Sequence, residues 1–393
     1  MKKRKIAILG VTGSIGLNLI KILEKDKKNF DVVLLSANRN YKKLFIIAKK
    51  FKVKNIIISD PKSYQKLKKK NNDKKIKIFN NYNELNKILK KKIDYVMNSI
   101  VGINGLDPTL KIIPLTKKIA IANKESIICG WSLIKKKLNT HNTDFIPVDS
   151  EHFSLWFGLK NIQINSIEKM YLTASGGPFY KKSLKSFANI TTKEALNHPS
   201  WKMGKKISID SATMINKVFE VIEAKNIFEI PYNKIKILIH PKSYIHAILK
   251  FNNGLIKLIA HETTMQIPIF NTLSYQGDKV YYSKKLDINK LNNLNLDNVD
   301  TKRYTVTKIL KLLENNHSLY ETVIVSMNDT LVDLFLNNKI KFTDISRYLI
   351  KFLKEKEFLK YKRIQPIKVD QIIKLNKYVH LKVLEKVYKS RNA

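Results

Sequence analysis

ILGVTGSIG, residues 8–16, decides the fold. It follows a short apolar run at 5–9 and opens an amphipathic stretch at 15–24. Gly10, Gly13 and Gly16, at spacing three and three, are three of only 12 glycines in 393 residues. Ordinary glycine usage is about 7%, so a cluster in a glycine-poor chain answers a local demand. A strand that turns directly into a helix needs glycine for the tight turn, for close backbone approach and for helix–strand packing. The N–H groups of Thr12, Gly13, Ser14 and Ile15 can then face a pyrophosphate at the helix N-terminus. The plain alternative is a glycine-rich turn with no ligand.

Outward from that turn, apolar runs at 32–36, 55–58, 95–98, 119–122 and 145–148 alternate with amphipathic stretches such as 41–51. Alternating β and α units imply a parallel, doubly wound sheet. Residues 151–275 mix strands (167–173, 236–240, 254–258) with a helix near 212–225. Residues 276–300, rich in Asn and Lys, read as a linker. From 301 to 393 the period is helical: Val323, Met327, Leu331 and Leu334 share one face. The expectation is an α/β protein. It has an N-terminal Rossmann-like domain (1–150), a central α+β catalytic and connective domain (151–275) and a C-terminal helical domain (301–393).

The charge is extreme: 74 Lys and Arg against 32 Asp and Glu, a formal +42. That suggests nucleic acid or an anionic membrane. Only six of the basic residues are arginine, however, and lysine is spread along the whole chain. Base readers favour the bidentate guanidinium. The excess therefore reads as compositional background, with no nucleic-acid or membrane partner. The Lys runs at 68–70, 90–92 and 135–137 read as solvated helix ends. The single cysteine, Cys129, excludes a disulfide framework and a Cys-cluster metal site. The basic start and the apolar run at 6–9 mimic a signal peptide, but the run breaks at Gly10 and reads better as a buried first strand. A cytoplasmic protein is expected.

The end of the second strand selects the cofactor. It reads Ser36-Ala37-Asn38-Arg39-Asn40, with no acid to bind a ribose 2′-hydroxyl. A guanidinium at Arg39 suits a 2′-phosphate, which favours NADP over NAD; the alternative is a surface arginine. AIANKES, residues 120–126, places Asn123, Lys124 and Glu125 at the carboxyl edge of the sheet, where ligands bind. In VDSEH, residues 148–152, an extended chain would turn Asp149 and Glu151 to one side as hard oxygen ligands for Mg²⁺ or Mn²⁺, with Glu220 as a third. The competing reading of that pair is a helix cap with a capping acid.

SGGPF, residues 175–179, reads as a turn with exposed N–H groups. HPSWKMG, residues 198–204, is either a mobile lid carrying Trp201 or an ordinary loop with a core Trp. In DSATMINKVFE, residues 210–220, Asp210 or Ser211 would cap a helix whose start could hold a phosphate. Asn216 and Glu220 then share a face, with Lys217 beside them. A solvated polar face is the alternative. His141, His240, His246, His261 and His317 show no ligand spacing.

In this order the strings TGSIG (12–16), ANKES (122–126), PVDSEH (147–152), SGGPF, HPSWKMG, DSATMINK with Glu220, and LIHPKSYIH (238–246) resemble the 1-deoxy-D-xylulose 5-phosphate reductoisomerases. The resemblance spans essentially the whole chain. It implies NADPH-dependent and divalent-metal-dependent (Mg²⁺, Mn²⁺ or Co²⁺) isomerisation and reduction of that ketose phosphate, in a homodimer of the cytosol or of plastids. NADPH contacts implied are Thr12, Gly13, Ser14, Ile15, Asn38, Arg39, Asn40, Asn123, Glu125 and Gly204. Metal ligands implied are Asp149, Glu151 and Glu220. Substrate contacts implied are Lys124, Ser150, Glu151, Ser175, His198, Ser211, Asn216, Lys217 and Glu220. Lys124, Glu151 and His198 would stand nearest the chemistry. The phosphate would lie among Ser175, Ser211, Asn216 and Lys217, and Trp201 and Met203 would ride on a closing flap.

Two positions depart from the family pattern: Asn38 where Gly is common, and Gln266 where Arg is usual. Two rival readings make different predictions. A metal-free NADP dehydrogenase would survive a chelator. A basic nucleic-acid binder on a degenerate Rossmann fold would show steep salt dependence and gives no reason for the retained carboxylates.

Overall fold

The computed structural model describes residues 3–71, 75–199, 201, 203–273, 281 and 283–392. In chain order the strands are β1 (Arg4–Leu9), β2 (Phe30–Ala37), β3 (Asn55–Ile58), β4 (Lys77–Phe79), β5 (Tyr95–Asn98), β6 (Lys118–Ile121), β7 (Asp144–Pro147), β8 (Ile167–Ala174), β9 (Ile235–Ile239), β10 (Ile245–Phe251), β11 (Ile256–Ala260) and β12 (Asp297–Asn298). The first helices are α1 (Ser14–Glu24), α2 (Tyr41–Lys50), α3 (Pro61–Lys70), α4 (Leu85–Ile88), α5 (Leu106–Ile112), α6 (Lys124–Thr140), α7 (Ser150–Gly158) and α8 (Thr192–Leu196). Then come α9 (Lys205–Thr213), α10 (Ile215–Phe228), α11 (Gln266–Leu273), α12 (Ile288–Leu291), α13 (Tyr320–Leu336), α14 (Phe342–Leu353), α15 (Lys356–Leu359) and α16 (Val369–Asn392). No helix among the described residues is long and apolar enough to cross a membrane.

The chain divides into two compact units. The first comprises Met1–Ser126, Ser132–Phe153 and Thr264–Tyr282. Its seven-stranded sheet runs β4-β3-β2-β1-β5-β6-β7, with every pair parallel. A parallel sheet covered on both faces buries nearly every strand residue. That is why Ile6, Ala7, Ile8 and Leu9 of β1 are all buried although they do not alternate with polar residues. The strand order reverses between β1 and β5, and the carboxyl ends there form a ligand crevice. Ser99, just past β5, ties this edge by donating from Oγ to the Leu9 carbonyl at 2.8 Å. The segment carrying α11 returns to this unit late in the chain. Ile269 and Leu273 join the same apolar core as β1 and β2, and Tyr95 shares a 2.7 Å hydrogen bond with Thr272.

The second unit comprises Ile127–Trp131, Ser154–Thr263 and Ser283–Ala393. Its mixed sheet runs β11-β10-β8-β9-β12. Met170 and Leu172 of β8 and Ala247 and Leu249 of β10 pack with Val221 and Ala224 of α10. Past the sheet the helical period holds: Val323, Met327, Leu331 and Leu334 of α13 are all buried.

Several sequence boundaries move. β10 is a strand beyond those expected. Its IHAILKF is buried at five successive positions, so no alternation marked it. The helix expected near 212–225 is two helices, α9 and α10, broken at Met214, whose φ of 72° is left-handed. Thr213 bridges the break, donating from Oγ1 to the Ile209 carbonyl and accepting from the Ile215 N–H. Asp210 and Ser211 therefore lie in the last turns of α9 and cap nothing, which corrects the expected phosphate-holding cap. Within the expected linker, α12 and β12 are ordered elements; residues 276–280 and 282 lie outside the described residues.

Candidate active site

In the first unit, each of the three spaced glycines has its own reason. Gly10 has φ +81°, and a Cβ there would sit 2.6 Å from the Ser99 carbonyl oxygen. Gly16 would place a Cβ 2.6 Å from Val11 Cα, so α1 can seat on the end of β1 only without a side chain there. Gly13 is the N-cap of α1, in extended conformation. The turn is pinned from behind by Ser36, which accepts from the Gly10 N–H at both its carbonyl and its Oγ, each at 3.1 Å. Tyr82 donates to the same hydroxyl at 2.9 Å. Thr12, Gly13, Ser14 and Ile15 thus present the start of α1 at the crevice, with Ser14 exposed.

The residues after β2 are exposed. Asn38 accepts from Ser59 Oγ at 3.2 Å, and Asn40 caps α2 by accepting from the Lys43 N–H at 3.2 Å. The Arg39 side chain is 83% exposed, with Nε 3.8 Å from Asp60 Oδ1. Asp60, missed in the sequence, caps α3. The Ser63 N–H that it accepts, together with the Ser63 hydroxyl and the nearby guanidinium, holds its carboxyl below the usual range. No local signal links positions 39 and 60; only the pairing of β2 with β3 does.

Asn123 caps α6, accepting from the Ser126 N–H at 2.7 Å and donating to the carbonyls of Ile100 and Gly102. It therefore locks the edge loop after β5 to the start of α6. Glu125 is buried, its Oε2 3.4 Å from Asn123 Nδ2. Lys124 Nζ lies 2.8 Å from Asp149 Oδ2. Asp149 and Glu151 do not sit on an extended chain as expected. β7 ends at Pro147 and α7 starts at Ser150, so Glu151 is in the first helical turn. The backbone N–H of Phe153 bonds the Asp149 carbonyl at 2.7 Å. Their carboxylate oxygens nevertheless come within 4.8 Å of each other. The start of the helix, rather than an extended chain, brings them together. Ser150 Oγ donates to Glu151 Oε2 at 2.6 Å. His152 is buried, its Nδ1 3.8 Å from Asp149.

In the second unit, the glycine pair after β8 has φ +84° and +68°. A Cβ on Gly177 would stand 2.9 Å from the Ser211 carbonyl oxygen, so this turn lies directly against α9. Ser175 Oγ accepts from the Gly177 N–H at 3.1 Å and lies 3.1 Å from His198 Nε2. His198 Nδ1 accepts from the Trp201 N–H at 3.0 Å. The ring proton is therefore on Nε2 and is donated to Ser175. Burial lowers the His198 pKa to about 4, so the ring is neutral. Gly204 is the N-cap of α9 and exposed. Trp201 and Met203 are half-buried, while Ser200 and Lys202 of the expected flap lie outside the described residues.

On α10, Lys217 and Glu220 are buried and paired, and Asn216 Nδ2 donates to Glu220 Oε1 at 2.5 Å. The polar stripe read on this helix is thus not a solvated face. Ser175, His198, Ser211, Asn216, Lys217 and Glu220 belong to the second unit, and Lys124, Asp149, Ser150 and Glu151 to the first.

Family models of 1-deoxy-D-xylulose 5-phosphate reductoisomerase match residues 6–130, and models of its C-terminal domains match 145–228 and 261–380. A curated enzyme of that name from Pelagibacter ubique is 58% identical over 382 residues, covering 97% of this chain and 98% of its own length. One from Clostridium kluyveri is 40% identical over 349 residues, covering 88% and 91%. Among solved structures, the Zymomonas mobilis reductoisomerase in complex with NADPH aligns at TM-score 0.87 and 31% identity over 98% of this chain and 99% of its own. A reductoisomerase complex with NADPH, fosmidomycin and magnesium aligns at 0.90 and 29% identity, covering 99% of each chain. Turn, carboxylates and likeness over nearly the full length agree, and the chain belongs to the 1-deoxy-D-xylulose 5-phosphate reductoisomerase family.

Proposed function

We propose that the protein converts 1-deoxy-D-xylulose 5-phosphate to 2-C-methyl-D-erythritol 4-phosphate with NADPH and a divalent cation, in the non-mevalonate isoprenoid pathway. One observation of this chain carries the reading: Asp149 and Glu151 brought within 4.8 Å at the carboxyl edge of the sheet. Carboxylates so close repel unless a cation lies between or beside them. Lys124 supplies one such charge at Asp149, and a hard divalent ion fits the same all-oxygen donors.

Asp149, Glu151 and Glu220 are the residues we assign to the metal. When bound, the cation supplies Lewis-acid polarisation of the ketone and NADPH supplies the hydride. The protein's own groups bind and orient. The α1 N-terminus (Thr12, Gly13, Ser14, Ile15) takes the pyrophosphate, and Arg39, with Asn38 and Asn40, the 2′-phosphate end. Asn123, Glu125 and Gly204 complete the cofactor set. Ser175, Ser211, Asn216 and Lys217 take the substrate phosphate. Neutral His198 donates to Ser175 Oγ, leaving the serine proton to point at a phosphate oxygen. Lys124 adds positive charge near developing oxygen charge, and Ser150 steadies Glu151. Closure of 198–204, with Trp201 and Met203, would exclude water from reactive carbonyl species.

We assign a cofactor-binding domain to residues 1–150, a catalytic and connective domain to 151–275, the linker to 276–300 and a C-terminal helical domain to 301–393, with Lys124, Asp149 and Ser150 reaching the chemistry from the edge of the first domain. The enzyme is proposed to work in the cytoplasm as a homodimer. The edge strand β11 supports the dimer, because Ile256 and Leu258 on it and Leu255 just before it are exposed, and open apolar edges are usually covered. Sedimentation equilibrium tests this: a dimer is expected, and a monomer at micromolar concentration would refute it. Following NADPH oxidation with the ketose phosphate, with and without Mg²⁺ or Mn²⁺, tests the function.

A further inference from the structure

Asp210 directly precedes Ser211 on α9 and is 2% exposed. A carboxylate that deep needs compensating partners. Asn328 Nδ2 donates to its Oδ1 at 2.8 Å, and Lys206, one turn earlier on α9, lies 3.7 Å from its Oδ2. Lys206 also pairs with Asp329 at 2.8 Å. Asn328 and Asp329 are consecutive on α13, so one short segment holds α9 at two positions a turn apart. The Asn328 amide is fully buried, and its Oδ1 has no hydrogen-bond partner among the described residues. Turning the amide over would set oxygen against oxygen, so the residue serves one directed bond rather than general packing.

The place of α9 matters because the turn after β8 rests on it. A Cβ on Gly177 would fall 2.9 Å from the Ser211 carbonyl and 3.3 Å from Ala212 Cα, which leaves no slack between them. A slip of α9 by a few tenths of an ångström would change the spacing of Ser175 and Ser211.

We propose that Asn328 and Asp329 are positioning residues for the phosphate end of the substrate: they fix α9 through Asp210 and Lys206 and so set Ser211 against Ser175. This rests on the assignment of the phosphate to Ser175, Ser211, Asn216 and Lys217.

The test compares Asn328→Asp, the exchange Asp210→Asn with Asn328→Asp, and Asp329→Asn. Readouts are KM for the ketose phosphate, KM for NADPH, kcat, and the dissociation constant of inorganic phosphate by calorimetry. Misplacing a binding group by a fraction of an ångström costs on the order of tenfold. Asn328→Asp should therefore raise the substrate KM and the phosphate constant about tenfold, with the KM for NADPH and kcat within about twofold. The exchange restores one donor facing one acceptor and should recover most of the loss. Asp329→Asn, at a half-exposed pair, should raise both constants about threefold. Unchanged phosphate constants, an equal rise for NADPH, or an exchange that recovers nothing would each overturn the proposal. If Asn328→Asp fails to fold, the exchange and Asp329→Asn still decide it. If the wild-type protein turned over no ketose phosphate, the functional reading would fail alone, and the inorganic phosphate constants would still judge the clamp.

Discussion

Gly177 shows how one missing methyl group sets a site. Its φ is +68° and its Cβ position is taken by the Ser211 carbonyl, so Gly177→Ala would strain the turn and push Ser175 from Ser211. We expect the substrate KM to rise on the order of tenfold while the KM for NADPH stays put, as steady-state kinetics would show. At Arg39, exposed and proposed to meet the 2′-phosphate, Arg39→Ala should raise the KM for NADPH on the order of ten- to a hundredfold and leave that for NADH unchanged. Equal rises for both would remove Arg39 from cofactor selection. Glu321 carries a pH effect. Burial pushes its carboxyl from 4.5 up to about 7, against hydrogen bonds from the Ser318 N–H and hydroxyl. Because the folded-state value is the higher, the folded protein holds the proton more tightly. The stability this adds is full below about pH 4.5 and is lost as pH rises through about 7. Glu321→Gln should match the wild type near pH 5 and exceed it near pH 8, by on the order of 3 kcal/mol at most. Urea unfolding at the two pH values measures this, and a pH-independent difference would contradict it.

At the scale of elements, the seating of α1 on β1 is the joint on which cofactor binding depends. Gly16→Ala would drive a Cβ to 2.6 Å from Val11 Cα, shifting the helix start from the crevice. Such overpacking costs about 1–3 kcal/mol, so both the melting temperature and NADPH affinity should fall; a variant that melts lower but binds NADPH normally would separate fold from site. This turn was legible because glycine spacing is a local signal. So were β3 and β5, whose apolar runs end where the strands end. VDSEH is helical where an extended chain is expected, because a helix start and an extended end share the same composition; α7 begins one residue after Asp149. The α9–α10 break was hidden because Met214 adopts a left-handed φ without glycine. Asp60 beside Arg39 and Asn328 beside Asp210 are long-range pairs, and no period or spacing announces them.

For the whole molecule, the +42 charge bears on the proposed small anionic ligands. Both proposed ligands are anions, and a positive surface raises their local concentration and encounter rate. Apparent kcat/KM should fall as salt rises from about 50 to 300 mM, with kcat nearly constant, as screening shortens to less than a nanometre. The carboxylates held near one another in a chain poor in acids are the better guide to function. The most direct measurement is NADPH oxidation with 1-deoxy-D-xylulose 5-phosphate in protein treated with a chelator, before and after Mg²⁺ or Mn²⁺ is restored. Turnover should vanish with the metal and return with it, and Asp149→Asn or Glu220→Gln should abolish the return. Full turnover in the chelator, or near-wild-type turnover in either variant, would contradict the metal-dependent reductoisomerase derived from these residues.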